Sequence, residues 1–88
     1  MKLSTRSRYG TRAMIDIALH ADSSATQLKD ISRRQAVSAK YLDHLLSSLR
    51  KAGLIRSTRS PQAGYSLGRP AKKITLKDIV LVLEGSLS

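Results

Sequence analysis

Lys40, Asp43, His44, Ser47 and Lys51 lie three and four residues apart, with Ala39 at their border. On a helix that spacing puts them on one face. The face carries several hydrogen-bond donors and one ionised acceptor. Lys40 and Ser47 can donate to guanine acceptors, and Asp43 can accept from cytosine N4. An acid facing phosphate is costly unless it reads such an amino group. The other open reading is that Asp43 pairs with Lys40 or Ser47 on a solvated face. No rival chemistry is visible. His20 and His44 stand alone, without cysteine or a matching spacing, so neither is expected to hold a metal. There is no Ser–His–Asp set, no phosphate-cradling Gly-rich loop and no carboxylate cluster, and an enzyme is not expected.

The elements that must position this face follow from hydrophobic periodicity. Tyr41, Leu42, Leu45, Leu46, Leu49 and Ala52 form the opposite face of the same helix, expected over about 38–52. Ser38 is its N-cap, satisfying a free amide, and a phosphate could also sit at that helix start. Gly53 ends it as a C′ glycine. Before it, Leu28 and Ile31 point inward from a short helix over about 27–35, capped by Thr26. A first helix over about 5–21, capped by Ser4 or Thr5, has the stripe Tyr9, Ala13, Met14, Ile17, Ala18 and Ala21. Ile15 and Leu19 lie off that stripe, so cover on two sides is expected. The row Arg8, Arg12, Asp16, His20 is its polar edge, with Arg12 and Asp16 spaced as a surface pair. Arg33 and Arg34 read as the solvated face of the second helix. Tyr9 and Tyr41 read as half-buried core residues whose hydroxyls could alternatively reach a phosphate.

Two short β-like pieces, Leu54 to Thr58 and Tyr65 to Leu67, flank RSPQAG and read as a hairpin over about 54–68. Thr75 and Asp78 form a capping box before IVLVL, giving a last helix over about 75–84 that ends at Gly85. Short helix, turn, longer helix is the helix-turn-helix arrangement. A hairpin directly after it makes a winged helix-turn-helix, mainly α with a small β-hairpin. All of 1–88 is expected to be one such domain. In this arrangement the second helix enters the major groove of DNA.

Charge points the same way. The 88 residues hold sixteen Lys and Arg against six Asp and Glu, a formal net charge of +10. Such an excess carries a self-repulsion cost, for which nucleic acid is the favoured reason over an acidic lipid surface or plain solubility. No basic amphipathic helix with bulky apolar anchors supports the lipid option. Residues 1–12 carry Lys2, Arg6, Arg8 and Arg12 without an acid. Residues 50–73 carry Arg50, Lys51, Arg56, Arg59, Arg69, Lys72 and Lys73, again without one. The two would make one footprint if the fold brings them together. With neither Trp nor Phe, the core must be mostly aliphatic. No cysteine is present, so disulfides and thiolate metal sites are excluded. No apolar run approaches the ~20 residues of a membrane span. The start MKLSTRSRYG turns polar too soon for a signal peptide, and an intracellular protein is expected.

The stretches KLSTRSRYGTRAMIDIALHAD, LKDISRRQAVSAKYLDHLLSSLRKAGLIRSTRS and GYSLGRPAKKITLKDIVLVLEG together resemble the DNA-binding domain of the Rrf2 family of bacterial transcription regulators. R-Y-x-x-R-A-M, I-S-x-x-x-x-x-S-x-x-Y-L, L-R-K-A-G-L and G-Y-x-L carry the resemblance over nearly the whole chain. It implies a homodimer on a near-palindromic promoter site in double-stranded DNA, in the bacterial cytoplasm and on the nucleoid. It implies base contacts from the start of the recognition helix, here Ser38, Ala39, Lys40, Tyr41, Asp43, His44 and Ser47. The wing would enter the minor groove with Arg59, supported by Ser60, Gln62, Gly64 and Tyr65, and Thr5, Arg8 and Gln27 would meet phosphates. The family often has glycine where this chain has Ala36. If that turn needs a left-handed residue, alanine costs roughly 1 kcal/mol. Glycine is also frequent where Ser60 and Ala63 stand. Many members continue into a linker with three cysteines, often holding an iron–sulfur cluster, and a long dimerisation helix. This chain ends at LEGSLS, before the expected place of that sensing and dimerisation region, so no cofactor is expected on these residues. The rival reading is a protein-interaction or dimerisation winged-helix module without direct DNA readout, which Ile15, Leu19 and IVLVL would suit. A lesser rival is structured RNA.

Overall fold

The computed structural model describes residues 3–20, 25–58 and 64–85. Helix α1 (Thr5–Leu19) is followed by α2 (Leu28–Gln35) and α3 (Ala39–Lys51), then strands β1 (Ile55–Thr58) and β2 (Gly64–Leu67). A 3₁₀ turn (Ala71–Lys73) leads into α4 (Leu76–Gly85). The strands pair antiparallel with Ile55 opposite Leu67 and Thr58 opposite Gly64. Three helices, a hairpin and a closing helix make a winged helix.

Local signals explain most boundaries. Ser4 caps α1, its hydroxyl accepting from the Ser7 amide at 3.2 Å. Ser38 caps α3 by accepting from Tyr41 N–H at 3.1 Å. Thr75 and Asp78 close the capping box of α4 at 3.0 and 3.1 Å. The Thr75 backbone amide, and after it the Thr75 hydroxyl, hold the Asp78 carboxyl below its usual pKa.

The ends of α2 and α3 are built alike. Each closes with an amide reaching back five residues, Val37 to the Ser32 carbonyl at 3.2 Å and Leu54 to the Leu49 carbonyl at 3.0 Å. That bond needs a left-handed residue just before the amide. Gly53 supplies it at φ 82° and Ala36 at φ 55°. The turn of the helix-turn-helix therefore does demand the left-handed geometry that alanine adopts at a cost. The Ser32 hydroxyl steadies it by donating to the Val37 carbonyl.

The core is aliphatic. Ala13, Met14 and Ile17 of α1, Ile31 of α2, Leu42, Leu45, Leu46 and Leu49 of α3, Leu54 and Ile55, and Ile79 and Leu83 of α4 are all buried. Tyr9 and Tyr41 are half-buried against it and meet edge to face, with centroids 6.3 Å apart and planes at 88°. The ends of α1 and α4 complement each other. Glu84 accepts from the Ser4 and Ser7 hydroxyls at the start of α1. Arg6 donates to the Leu83 carbonyl at the end of α4, at 3.2 Å. Each charge thus sits at the helix end whose dipole favours it.

Several expectations need correction. Asp16 does not pair with Arg12 on the surface; it is 3% exposed and is bound by Arg34. Arg34 stays exposed with Arg33, as expected of a solvated face, but its guanidinium also reaches across to α1. Thr26 does not cap α2: the N-cap is Gln27, without a side-chain hydrogen bond. Thr26 instead forms a bridge with Tyr65, adding a short third edge to the hairpin. Ala52 is exposed rather than on the buried face of α3. Helix α1 packs against α2, α3, α4 and β2, but that cover does not extend over Ile15 and Leu19, which are 53% and 74% exposed. The first helix stops at Leu19 with His20 as its C-cap, and Ala21 lies outside the described residues.

Candidate nucleic-acid interface

The start of α3 is presented to solvent because everything that could bury it lies on its other face. Four leucines hold that face in the core. Lys40, His44 and Lys51 are exposed opposite them and Ser47 is half-buried among them, forming one row along the helix. Ala39 and Ser38 are exposed at its N-terminal end. Helical spacing puts Tyr41 on one flank of this row and Asp43 on the other. The Ser38 hydroxyl is already engaged by the Tyr41 amide.

The flank at Tyr41 leads to α1. Tyr9 packs against Tyr41, and the Arg8 and Arg12 guanidinium carbons stand 5.7 and 5.2 Å from the Tyr9 ring centroid. Cation–π contact of this kind holds a cation without neutralising it. Arg12 also donates to the Gln35 side chain at 3.0 Å. Arg8 and Thr5 are exposed. The flank at Asp43 leads to the hairpin, where the Tyr65 hydroxyl donates to Asp43 Oδ1 at 3.4 Å. The alternative pairing of Asp43 with Lys40 or Ser47 is not what the fold shows. Gln27, half-buried at the start of α2, lines a cleft with Lys29, Ser57, Thr58, Gly64 and Tyr65. Arg59, Ser60 and Gln62, together with Ala63, lie outside the described residues.

Arg8 and Arg12 of the N-terminal segment thus approach α3 through Tyr9–Tyr41, and the hairpin meets its other flank through Tyr65–Asp43. The described part of the arrangement offers cations, hydroxyls and one carboxylate on one solvent-facing surface. It suits electrostatic and hydrogen-bonding recognition of a charged polymer.

Sequence reasoning missed the clamp that fixes α1 to α2. Arg34 grips both oxygens of Asp16, at 2.7 and 3.0 Å, and Gln35 donates to the same carboxylate at 2.9 Å. Burial alone would raise the Asp16 pKa. Bonds from Arg34 and Gln35, with the charges of Arg34 and His20, outweigh burial and hold the carboxyl below its usual value. The only available signal was the pairing of an apolar stripe with an acid at its edge.

Comparison with known proteins gives a consistent set. A family model described as Rrf2, iron-dependent transcriptional regulator, matches residues 3–88. The chain is 50% identical over 84 residues to protein rrf2 of Nitratidesulfovibrio vulgaris, covering 96% of this chain and 56% of that one. It is 45% identical over 87 residues to the HTH-type transcriptional regulator IscR of Vibrio vulnificus, covering 99% of this chain and 52% of that one. Among solved structures, T. potens IscR matches with a TM-score of 0.91 at 46% identity, covering 100% of this chain and 64% of that chain. CymR, the global cysteine regulator of B. subtilis, matches at 0.90 and 44% identity, covering 97% and 66%. The chain spans about half the length of the curated relatives it matches. IscR and CymR are regulators rather than enzymes. As for the iron in the family description, the chain has no cysteine. Among the described residues no group of three His, Cys, Asp or Glu could hold a metal. These residues therefore do not fit an iron site.

Proposed function

The chain belongs to the Rrf2 family of transcriptional regulators, and from that premise we propose that it binds duplex DNA sequence-specifically at a near-palindromic promoter site. In this reading α3 lies in the major groove and the hairpin reaches the minor groove. The observation that carries it is the row of exposed Lys40, His44 and Lys51 with half-buried Ser47, flanked by arginines on one side and by the hairpin on the other. Lys40 and Ser47 donate to base acceptors, and Asp43 accepts from cytosine N4. Ser38, Ala39, Tyr41 and His44 complete the contact surface. Thr5, Arg8 and Gln27 meet phosphates, which fix register without reading sequence. Arg59 enters the minor groove, where negative potential is greatest, with Ser60, Gln62, Gly64 and Tyr65 shaping the approach.

The protein acts in the cytoplasm as a homodimer, matching its two-fold symmetry to the site. No helix among the described residues is long and apolar enough to cross a membrane. No metal or cluster is assigned to these residues. A second reading, a protein-contact module, draws on the exposure of Ile15, Leu19, Leu76 and Leu81. The two are separated by selecting bound sites from random duplex DNA, with duplex RNA as competitor. Recovery of a palindromic consensus supports the proposal. Absence of any shift with DNA, together with a salt-insensitive protein complex, supports the second reading. Within the same assay Arg59→Ala is expected to cost about 1.5–3 kcal/mol of binding. Equal affinity of mutant and wild type for the selected site refutes the minor-groove role.

A further inference from the structure

Tyr65 is fixed from two directions before its side chain is considered. Its amide and carbonyl exchange hydrogen bonds with Thr26 at 2.8 and 2.9 Å, and Ser57 stands opposite it in the hairpin. The segment before α2 and strand β2 approach closely enough that only glycine fits beside it: a Cβ on Gly64 would come within 2.8 Å of Ala25 Cβ and 2.9 Å of the Thr26 carbonyl. The Tyr65 ring packs against the core. Among the described residues its hydroxyl is the single hairpin group hydrogen-bonded to Asp43, 3.4 Å away. Among the described residues Asp43 makes no other hydrogen bond or ion pair.

We infer that Tyr65 is a specificity-determining positioning residue, whose hydroxyl holds one oxygen of the Asp43 carboxylate and so aims the other at the base edge. The inference rests on the proposed reading of Asp43 as a base acceptor. An exposed aspartate samples several rotamers, and most of them point its oxygens away from an amino group in the groove. A donor anchored in the hairpin selects one before DNA arrives, which lowers the ordering cost of binding. At 3.4 Å the contact is longer than the usual O–H···O distance of about 2.5–3.0 Å, and a neutral phenol there orients the carboxylate without cancelling its charge. Burial raises the Tyr65 pKa, as do the charge and hydrogen bond of Asp43, against the opposing charge of Arg50. The phenol therefore keeps its proton at neutral pH and remains a donor. The hairpin and the recognition helix become one reading unit, in which seating of the wing bears on what the helix reads.

The test is selection of sites from randomised duplex DNA by the full chain as wild type, Tyr65→Phe, Asp43→Ala and the double variant. Phenylalanine keeps the ring and the backbone pairing with Thr26, and melting temperatures check that each variant folds. Asp43→Ala is expected to relax preference at one base-pair position. Tyr65→Phe is expected to relax the same position by about threefold to tenfold, the size of one hydrogen bond's net contribution. It should leave other positions alone and add nothing in the Asp43→Ala background. If Tyr65→Phe keeps wild-type preference, or weakens every sequence alike, the positioning role is overturned while Asp43 still reads a base. If Asp43→Ala itself leaves preference unchanged, the base reading fails and the inference fails with it.

Discussion

Ala36 and Gly53 occupy the same place in two copies of one motif, the left-handed residue that lets a helix end in a five-residue return bond. Glycine does this without steric cost. Alanine brings its Cβ against a carbonyl and loses roughly 1 kcal/mol. Ala36→Gly is therefore expected to stabilise the domain by about 1 kcal/mol, raising its melting temperature by roughly 4–8 °C. Thermal unfolding followed by circular dichroism checks this, and an unchanged or lower melting temperature contradicts it. Ala36 is exposed, so the added entropy of the unfolded glycine chain is the main opposing effect. The strain sits three residues before α3, in the turn that sets how the recognition helix leaves α2.

At the scale of elements, two unlike joints hold the helix-turn-helix to its supports. One is ionic: Asp16 of α1 is gripped by Arg34 and Gln35 at the end of α2, while Arg12 holds Gln35 from outside. Asp16→Ala removes a buried acceptor and strands those donors. The expected loss is roughly 2–4 kcal/mol, held down because the Arg34 side chain remains 31% exposed to water. Because the Asp16 pKa is lowered by folding, its contribution is fully present above its unfolded value near 3.8 and disappears as pH falls through the lower folded value. Wild type should therefore lose stability faster than Asp16→Ala on acidification below about pH 4, which denaturant titrations at several pH values measure. The other joint is backbone: Thr26 pairs with Tyr65 because Gly64 lets the two segments meet. Gly64→Ala is expected to cost about 1–3 kcal/mol and to speed amide hydrogen exchange at Thr26 and Tyr65. Unchanged protection at both amides would sink that account.

At the scale of the whole molecule the question is what a net charge of +10 does in a chain of 88 residues. Part of that charge stands at α3 and its edge. Arg8 and Arg12 stand at Tyr9, and Arg50 and Lys51 end the helix that the hairpin follows. If Arg8 neutralises one phosphate, Arg8→Ala lowers the log–log salt slope of DNA binding by about 0.9 and weakens all sequences alike. Binding isotherms across a salt series read this directly. An unchanged slope would remove Arg8 from the interface.

The chain's order of elements, the caps at Ser38 and Thr75, the glycine stop at Gly53 and the leucine face of α3 could all be read from the sequence. They depend on periodicity and on bonds between residues within about four positions of each other. The solvent row on α3 followed, since a buried face defines its opposite. Asp16–Arg34, Tyr65–Asp43 and Thr26–Tyr65 could not be read, because each joins residues on different elements. Sequence spacing offered Asp16 a nearer partner, Arg12, four residues away on the same helix. Tertiary packing overruled it by burying the carboxylate, where only a bidentate guanidinium and an amide together offset the lost water. Likewise the sequence determined that Asp43 would face outward, and only the folded chain decided that a tyrosine from the hairpin would meet it there.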